Sequence, residues 1–434
     1  MEEAKKITGE IIISESATRE IEKQVKDIPG FKKKIESSLQ KNTTELWEII
    51  LTSAIILDSS DIHIEPEEKR AKLRIRIDGV LQDIFYFDPK VSQALVSRVK
   101  LLSGLKLNVL DRPQDGRFSI LLGSFPIEMR SSSLPSEYGE TVVLRILNPK
   151  KLIELESMGL RKDLLEAFLR QIKKPNGMII ITGPTGSGKT STLYAFLKKI
   201  NNPEIKIITI EDPIEYHLEG ISQTQVDSAN GYDFSSGLRS IMRQDPDAVL
   251  VGEIRDLETA SIALQAALTG HMVFSTLHTN DAAGAIPRLI ALEEKPANIA
   301  PAISMAIAQR LIRKVCQKCV KMEKISPEEF TEIKKALQGI PKNIKIPALS
   351  AGIKIPRAKG CKYCNSTGYK GRVAIFEALV NDDEIERFIL TSPAASSIRD
   401  LAIKKGMVPM RQDGFIKVLE SVTTIEEVDK ATAE

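Results

Sequence analysis

Residues 183–190 read Gly-Pro-Thr-Gly-Ser-Gly-Lys-Thr, which matches the G-x-x-x-x-G-K-T spacing of a phosphate-binding loop. The loop follows the apolar stretch 178–182 and opens a stretch of helical periodicity that runs to Ile200. Its glycines allow the backbone to curl so that successive N–H groups point at phosphate oxygens, and the helix adds its positive N-terminal end. The alternative is a glycine-rich turn that binds nothing. We predict that nucleotide binds to Gly183, Pro184, Thr185, Gly186, Ser187, Gly188, Lys189, Thr190 and Ser191.

Two side chains of this loop have a defined chemistry. Lys189 is expected to reach the β- and γ-phosphates of ATP, which makes it a candidate catalytic residue. The hydroxyl of Thr190 is expected to ligate Mg²⁺. The loop therefore predicts ATP and Mg²⁺ as the nucleotide and the metal of this site.

Three further polar residues each follow an apolar stretch of strand length. They are Glu211, Glu253 and His278, and the stretches before them are residues 205–210, 248–252 and 272–277. In an open α/β sheet, ligands bind at the carboxyl ends of the strands. The sequence therefore places all three side chains at the sheet edge where the phosphate loop lies.

ATP hydrolysis requires a metal clamp, a positioned water and stabilisation of charge on the γ-phosphate. Glu253 ends its strand in the manner of a Walker B segment, so we predict that it holds Mg²⁺ through water. Glu211 is the predicted residue that orients or deprotonates the attacking water, and the converse assignment of the two acids stays open. His278, with His271 as the weaker candidate, is predicted to sense the γ-phosphate or to couple it to a neighbouring subunit. The alternative is a structural histidine.

All four cysteines fall in two Cys-x-x-Cys pairs, Cys316 with Cys319 and Cys361 with Cys364. Four thiolates in two chelating turns are the ligand set of a closed, tetrahedral Zn²⁺ site. Redox-active or incidental turns are the alternative, but no other cysteine and no redox partner pattern is visible. We predict that one Zn²⁺, bound by both pairs, holds together the two ends of the long segment between them, residues 320–360.

Composition narrows the class of protein. The 434 residues carry 61 Lys+Arg against 58 Asp+Glu, for a formal net charge of +3, which argues against a strongly basic nucleic-acid coat. Hydrophobic residues make up 42% and charged residues 27%, as in globular chains, and the length allows about three domains. The apolar stretches are too short or broken to span a membrane. Residues 1–6 lack the apolar core of a signal peptide, so we expect the chain in the cytoplasm.

The elements that position these residues begin with an N-terminal part of mixed pattern. Residues 1–42 show short helical patterns broken at Pro29-Gly30 and are expected to form a solvated lead-in. Residues 43–150 are predicted to form a small α+β domain, because strand-like alternation on both sides of Asp78-Gly79 is typical of a β-hairpin. The other elements predicted here are a helix over 91–102 and strands over 118–122 and 141–147.

A linker over 151–163 is predicted to lead to a P-loop domain over 164–315. In that domain apolar runs alternate with helical patterns, as in a parallel sheet flanked by helices. This regularity ends near Ile312. A tetracysteine subdomain is expected over 316–372 and a helical, polar subdomain over 373–434. The predicted fold class is α/β, with a parallel-type sheet, a preceding α+β domain and a tetracysteine zinc insertion.

Three segments of the P-loop domain resemble the Asp box, Walker B and His box of the secretion ATPase superfamily. They are residues 208–215, 250–256 and 268–280. The upstream segments 60–66, 76–79, 112–117 and 139–145 are similar to motifs of that family's N-terminal ATPase-associated domain. Together the motifs resemble most closely the type II secretion and type IV pilus assembly ATPases, over roughly residues 43–434.

The resemblance implies a RecA-like motor domain, joined by a flexible linker to the N-terminal module, in a ring of six copies. It also implies that arginines of the N-terminal module close over the phosphates of ATP. The residues at matching positions are Arg74, Arg76, Arg112 and Arg117. An exposed arginine pair is otherwise a solvated face, so this role depends on the resemblance. In this family a metal-binding insertion is typical of assembly and secretion motors and is absent from retraction motors, which favours extension or secretion.

The function implied is an ATP-driven motor at the cytoplasmic face of an inner membrane, associated with it peripherally through a platform protein of a pilus or secretion machine. A DNA translocase is the first alternative, but the near-neutral charge and 5% aromatic content argue against a nucleic-acid partner. A subunit that binds nucleotide without hydrolysis is the second. Longer family members carry a further N-terminal domain for docking or second-messenger binding, and we expect no such domain in the forty residues that precede the module here.

Overall fold

The computed structural model describes residues 9–123, 125–149 and 153–433. These residues form two compact units. The first contains the described residues of 1–151 together with 359–370, and the second contains those of 152–358 and 371–434. Part of the predicted lead-in, residues 1–8, and the first two residues of the predicted linker lie outside the described residues.

The first unit is built on a seven-stranded sheet with the order β1-β5-β6-β7-β2-β3-β4. The strand β1 pairs with β5 in parallel, and the other described pairings are antiparallel. Its elements are β1 (Glu10–Ile13), α1 (Glu15–Gln24), α2 (Ile28–Glu36), α3 (Thr43–Ile56), β2 (Asp61–Pro66), β3 (Ala71–Ile77), β4 (Val80–Phe87), α4 (Pro89–Leu102), β5 (Gln114–Leu122), β6 (Phe125–Ser136) and β7 (Gly139–Leu147).

The predicted hairpin is confirmed as the β3–β4 pair. Asp78 and Gly79 both have positive φ, 49° and 84°, which is the backbone of the two-residue turn that matches strand twist. Along β3, Leu73 and Ile75 are buried in the core while the residues between them lie on the opposite face. The side-chain alternation that predicted the strand therefore also determines which face carries the charged groups.

The expectation of a solvated lead-in is wrong for the described part of this segment. The strand β1 was not expected, and its Ile13 is buried in the same core as Trp47. Phe31 of helix α2 is also fully buried there. Pro29 does not break the helix, because it lies in the first turn, where a missing N–H costs no hydrogen bond.

The second unit is built on a seven-stranded sheet with the order β10-β9-β11-β12-β8-β13-β16. Its elements are α5 (Lys162–Gln171), β8 (Gly177–Thr182), α6 (Lys189–Ile200), β9 (Ile207–Glu211), β10 (Ser222–Gln225), α7 (Phe234–Met242), β11 (Ala248–Val251), α8 (Leu257–Leu268), β12 (Met272–Leu277), α9 (Ala285–Ala291), α10 (Pro296–Ala302), β13 (Ile303–Val315), β14 (Lys321–Lys324), α11 (Pro327–Ala336), β15 (Lys354–Arg357), β16 (Tyr369–Val380), α12 (Asp383–Ile389), α13 (Ala395–Lys404), α14 (Met410–Leu419) and α15 (Ile425–Thr432).

The predicted α/β class with a parallel sheet is confirmed, since the pairings from β10 through to β13 are all parallel. The interior strand β8 is buried along its whole length. Its Ile180 packs into a cluster with helices α7 and α8, and Ile179 packs into a second cluster with α5 and α6. Helices therefore cover both faces of the sheet, and the apolar strand sequences follow from burial on both sides.

The predicted helical C-terminal region is wrong at its start, because residues 373–380 belong to the edge strand β16. The regular pattern predicted to end near Ile312 ends with β13 at Val315, which is also the predicted end of the P-loop domain. Residues 373–377 of β16 form a short buried run, whose sequence has no periodicity that separates strand from helix, and this explains the difference. Among the described residues, no helix combines the length and apolar character needed to cross a bilayer.

Candidate active site

The phosphate loop occupies the turn between β8 and α6, as the sequence predicted. Gly183 has φ +146°, and a Cβ built there would lie 2.5 Å from the main-chain oxygen of Gln309 in β13. Gly188 precedes the first residue of α6 with φ +90°, in the left-handed region. Only glycine fits these two positions, so the backbone around them forms a cradle with its N–H groups free of side-chain obstruction.

The ammonium group of Lys189 lies over the loop. Its Nζ donates to the main-chain oxygens of Gly183 at 2.7 Å and of Pro184 at 3.3 Å. Burial lowers the pKa of Lys189, and the nearby charge of Glu253 acts in the opposite direction. The hydroxyl of Ser187 is buried and has no hydrogen-bond partner among the residues that the structure describes. A cation and an unsatisfied hydroxyl beside a glycine cradle fit a phosphate group.

Glu253 and His278 lie together at the carboxyl edge of the sheet. The ring Nε2 of His278 is 3.6 Å from a carboxylate oxygen of Glu253, and Arg255 contacts the same carboxylate. Because Glu253 also acts on Lys189, these predicted residues form one group beside the loop. His271, the weaker candidate, precedes β12 and lies at the opposite end of that strand, where its Nδ1 is 3.1 Å from the oxygen of Ala266.

Glu211 ends β9 at the same edge, but its side chain is buried and only 4% exposed. Its carboxylate accepts hydrogen bonds from Tyr194, Thr209 and Gln223. Burial raises the pKa of this carboxyl, and those hydrogen bonds oppose the rise. In the described part of the chain, Glu211 thus contacts neutral donors, whereas Glu253 contacts charged groups.

Sequence reasoning missed Gln309 and Arg310, which lie on β13 where it extends past the end of β8. The guanidinium of Arg310 lies 3.1 Å from the position of a Cβ built on Gly183. Its Nη2 donates to the main-chain oxygen of Asn280 at 2.9 Å. Gln309 is buried and accepts from Thr192 of α6 at 2.7 Å. Two polar residues directly after the apolar run 305–308 were the signal that could have found them.

The four arginines carried over from the family lie in the first unit. Arg74 is paired with Glu65 and Asp83, and Arg76 with Asp61. Arg117 lies on β5 opposite Arg130, and Arg112 lies in the exposed turn just before β5.

The cysteine side chains converge as the pairing predicted. The sulfur atoms of Cys316, Cys319, Cys361 and Cys364 all lie within 4.8 Å of one another, and none is in a disulfide. The main-chain N–H groups of Cys361 and Gly368 point at the Cys364 sulfur, at 3.2 and 3.3 Å. Such N–H groups stabilise a thiolate, so the cluster fits a tetrahedral divalent ion.

Known proteins resemble the chain along most of its length. It is 42% identical, over 98% of its length, to the type IV pilus assembly ATPase PilB of Thermus thermophilus, and it spans about half (47%) of that relative. It is 42% identical, over 94% of its length, to the type II secretion system ATPase E of Vibrio cholerae, of which it covers 79%. Among solved structures, the pilus retraction motor PilT with bound ADP matches with a TM-score of 0.59 at 26% identity, over 89% of this chain and 96% of that one.

Residues 37–430 match the family described as Type II/IV secretion system protein. The match extends over the phosphate loop and both predicted acids of the site. The family that the sequence motifs indicated is therefore confirmed. The chain belongs to the type II/IV secretion system protein family.

Proposed function

We propose that the chain hydrolyses ATP at the phosphate loop and that a ring of six copies converts hydrolysis into work on a pilus or secretion machine. The observation that carries this proposal is the grouping of Lys189, Glu253 and His278 beside the loop. Lys189 supplies the cation and Glu253 the acid that recur in phosphoryl transfer, and His278 places an imidazole beside that acid. The named relatives are a pilus assembly ATPase and a secretion ATPase, which supports the assignment.

Each residue has a proposed task. Lys189 binds the β- and γ-phosphates. Thr190 and Glu253 would hold Mg²⁺, and the bound ion would neutralise charge on those phosphates. Glu211 accepts the proton of the attacking water, because its raised pKa brings it nearer the operating pH of a general base. His278 responds to the γ-phosphate through its contact with Glu253.

The four cysteines are proposed to bind one structural Zn²⁺. A closed set of four thiolates leaves no position for water or substrate, which distinguishes such a site from a catalytic one. The cluster joins segments 42 residues apart in sequence, Cys319 and Cys361 being its inner members. A metal would therefore stabilise the fold of this region rather than take part in hydrolysis.

The remaining features follow from the family. We propose that the second unit is RecA-like, that arginines 74, 76, 112 and 117 of the first unit close over ATP, and that the ring acts on a platform protein. The location would be the cytoplasmic face of an inner membrane. The net charge of +3 gives no reason to add a nucleic-acid partner.

ATP turnover by the purified full chain tests the proposal. Lys189→Ala and Glu211→Gln should each lower turnover by about two or more orders of magnitude. The exposed Arg288→Ala on helix α9 is the matched control and should leave it unchanged. Wild-type turnover in either active-site variant would refute the assigned site. Arg76→Ala and Arg117→Ala, measured in the assembled ring, test the contribution of the first unit separately.

A further inference from the structure

The carboxylate of Glu211 is surrounded by neutral hydrogen-bond donors from three elements. Tyr194 of helix α6 donates to Oε2. On the other oxygen, Oε1, Thr209 of β9 donates at 2.6 Å and Gln223 of β10 at 3.2 Å. An ionised carboxylate accepts and cannot donate, so the phenol supplies the proton of the Tyr194 bond. Three donors thus fix the side chain in one orientation.

The three donors leave the carboxylate of Glu211 little capacity to accept a further hydrogen bond. Each carboxylate oxygen has two lone-pair positions. Thr209 and Gln223 occupy both positions on Oε1, whereas Tyr194 occupies one of the two on Oε2. With the described residues as donors, a single acceptor position therefore remains on the carboxylate, and the Tyr194 hydroxyl determines its direction.

Tyr194 is itself rigidly held. Its side chain is fully buried and packs edge-to-face against Tyr216, with ring centroids 6.3 Å apart. Burial raises the pKa of the Tyr194 phenol, and the main-chain groups of Tyr216 and Glu215 act in the opposite direction. Tyr194 lies little more than one turn of α6 after Lys189 and Thr190. The helix that begins at the phosphate loop therefore also holds Glu211.

We propose that Tyr194 is a positioning residue for hydrolysis: its hydroxyl aims the free acceptor position of Glu211 Oε2 at the attacking water. This inference rests on the proposed role of Glu211 as general base. In that step the water oxygen bonds to the γ-phosphorus as the bond from phosphorus to the ADP oxygen breaks. The water proton passes to Oε2 and then to solvent.

The electrostatic surroundings are consistent with this role. The charged group that acts on Glu211 is Glu215, whose negative charge works with burial to raise the pKa. Among the described residues, the hydrogen bonds that oppose this rise come from neutral side chains and not from a cation. The ionised form of Glu211 is therefore stabilised by the three neutral donors, and the loss of one donor should raise the pKa of Glu211 further.

Tyr194→Phe in the full chain tests the inference, because it removes only the hydroxyl. We expect kcat for ATP to fall about 10- to 100-fold, the effect of one hydrogen bond to a charged group. The KM for ATP, the Kd for a fluorescent ADP analogue and the Tm should stay within about twofold or a few degrees of wild type. Tyr232→Phe, which removes a hydroxyl bonded to Thr224 at 3.1 Å, is the matched control and should keep kcat.

Two further variants separate the possible outcomes. Thr209→Val should lower kcat less than Tyr194→Phe, since Gln223 still donates to Oε1. In a Glu211→Gln background, Tyr194→Phe should cause no further loss. An unchanged kcat in Tyr194→Phe, with Glu211→Gln inactive, would overturn the inference and leave the proposed function intact. If Tyr194→Phe also lowered nucleotide affinity and Tm, Tyr194 would have a structural role in packing, and the inference would be wrong. A fully active Glu211→Gln would instead remove the proposed base.

Discussion

Arg310 of strand β13 anchors the segment that follows strand β12, since its Nη2 donates to the main-chain oxygen of Asn280 at 2.9 Å. That segment begins with His278, and the guanidinium also lies beside Gly183 of the phosphate loop. The next residue of the segment, Asp281, is paired with Arg399 of helix α13. Arg310 thereby links β13 to the segment after β12, next to the phosphate loop, and β12 and β13 are the two strands on either side of β8.

Arg310→Ala should therefore weaken nucleotide binding. The loss of one anchored hydrogen bond and of a cation near the phosphates predicts about a tenfold higher Kd for ADP, or roughly 1.4 kcal/mol. Arg310→Lys should recover part of this affinity, because it keeps the charge but loses the planar fork. Fluorescence titration measures both, with the exposed Arg288→Ala as control. Equal affinity in all three variants would show that Arg310 does not support the loop.

Gly183→Ala should damage both stability and binding. An alanine there would adopt φ +146° and bring its Cβ within 2.5 Å of the Gln309 backbone oxygen, which cannot move without disturbing β13. We expect the free energy of unfolding to fall by roughly 2 kcal/mol and nucleotide binding to be lost. Gly352→Ala is the matched control, because a Cβ there meets nothing within 4 Å. Similar denaturation midpoints for the two variants would contradict the described cradle.

Metal analysis of the untagged protein should find about one zinc per chain. Cys316→Ser should remove the ion and lower the Tm, because Cys316 is buried and the ligand set would be incomplete. A strong chelator should have the same effect on the wild-type protein and none on the variant. Protein that is free of metal and equally stable with all four cysteines reduced would exclude a structural zinc site.

The pH dependence of turnover follows from the buried Glu211. Burial raises the pKa of this carboxyl above 4.5, and hydrolysis requires its ionised form. In a plot of kcat against pH, the acidic limb should therefore lie above pH 4.5, and kcat should fall about tenfold per pH unit below the raised pKa. The effect of pH on stability has the opposite direction. The folded state holds the proton of Glu211 more tightly than the unfolded state does, so the contribution of Glu211 to the free energy of unfolding falls as pH rises through the raised pKa. A kcat that stays constant down to pH 4.5 would argue against Glu211 as the base.

The positions of the phosphate loop, the two acids and His278 at strand ends were predictable, because each depends on a local pattern: a strand that ends in a polar residue, or glycines at fixed spacing. The hairpin at Asp78-Gly79 was predictable for the same reason. Each of these signals lies within about ten residues of sequence.

The side-chain contacts of Glu211 and Arg310 could not be predicted from such local patterns. Tyr194 meets Glu211 across 17 residues, and Arg310 meets Asn280 across 30. Such pairs depend on strand order, which periodicity does not encode. The same limit explains β1, whose four residues become a strand only because they pair with the distant β5.

A crystal structure of the full chain with Mg²⁺ and a nonhydrolysable ATP analogue tests the central claim most directly. We predict that the triphosphate lies on residues 183–190, with Lys189 at the γ-phosphate and the metal between Thr190 and Glu253. One water molecule should lie between the Glu211 carboxylate and the γ-phosphate, and it should be hydrogen-bonded to Glu211 and not to Glu253. A triphosphate bound elsewhere, or both acids turned away from it, would contradict the account.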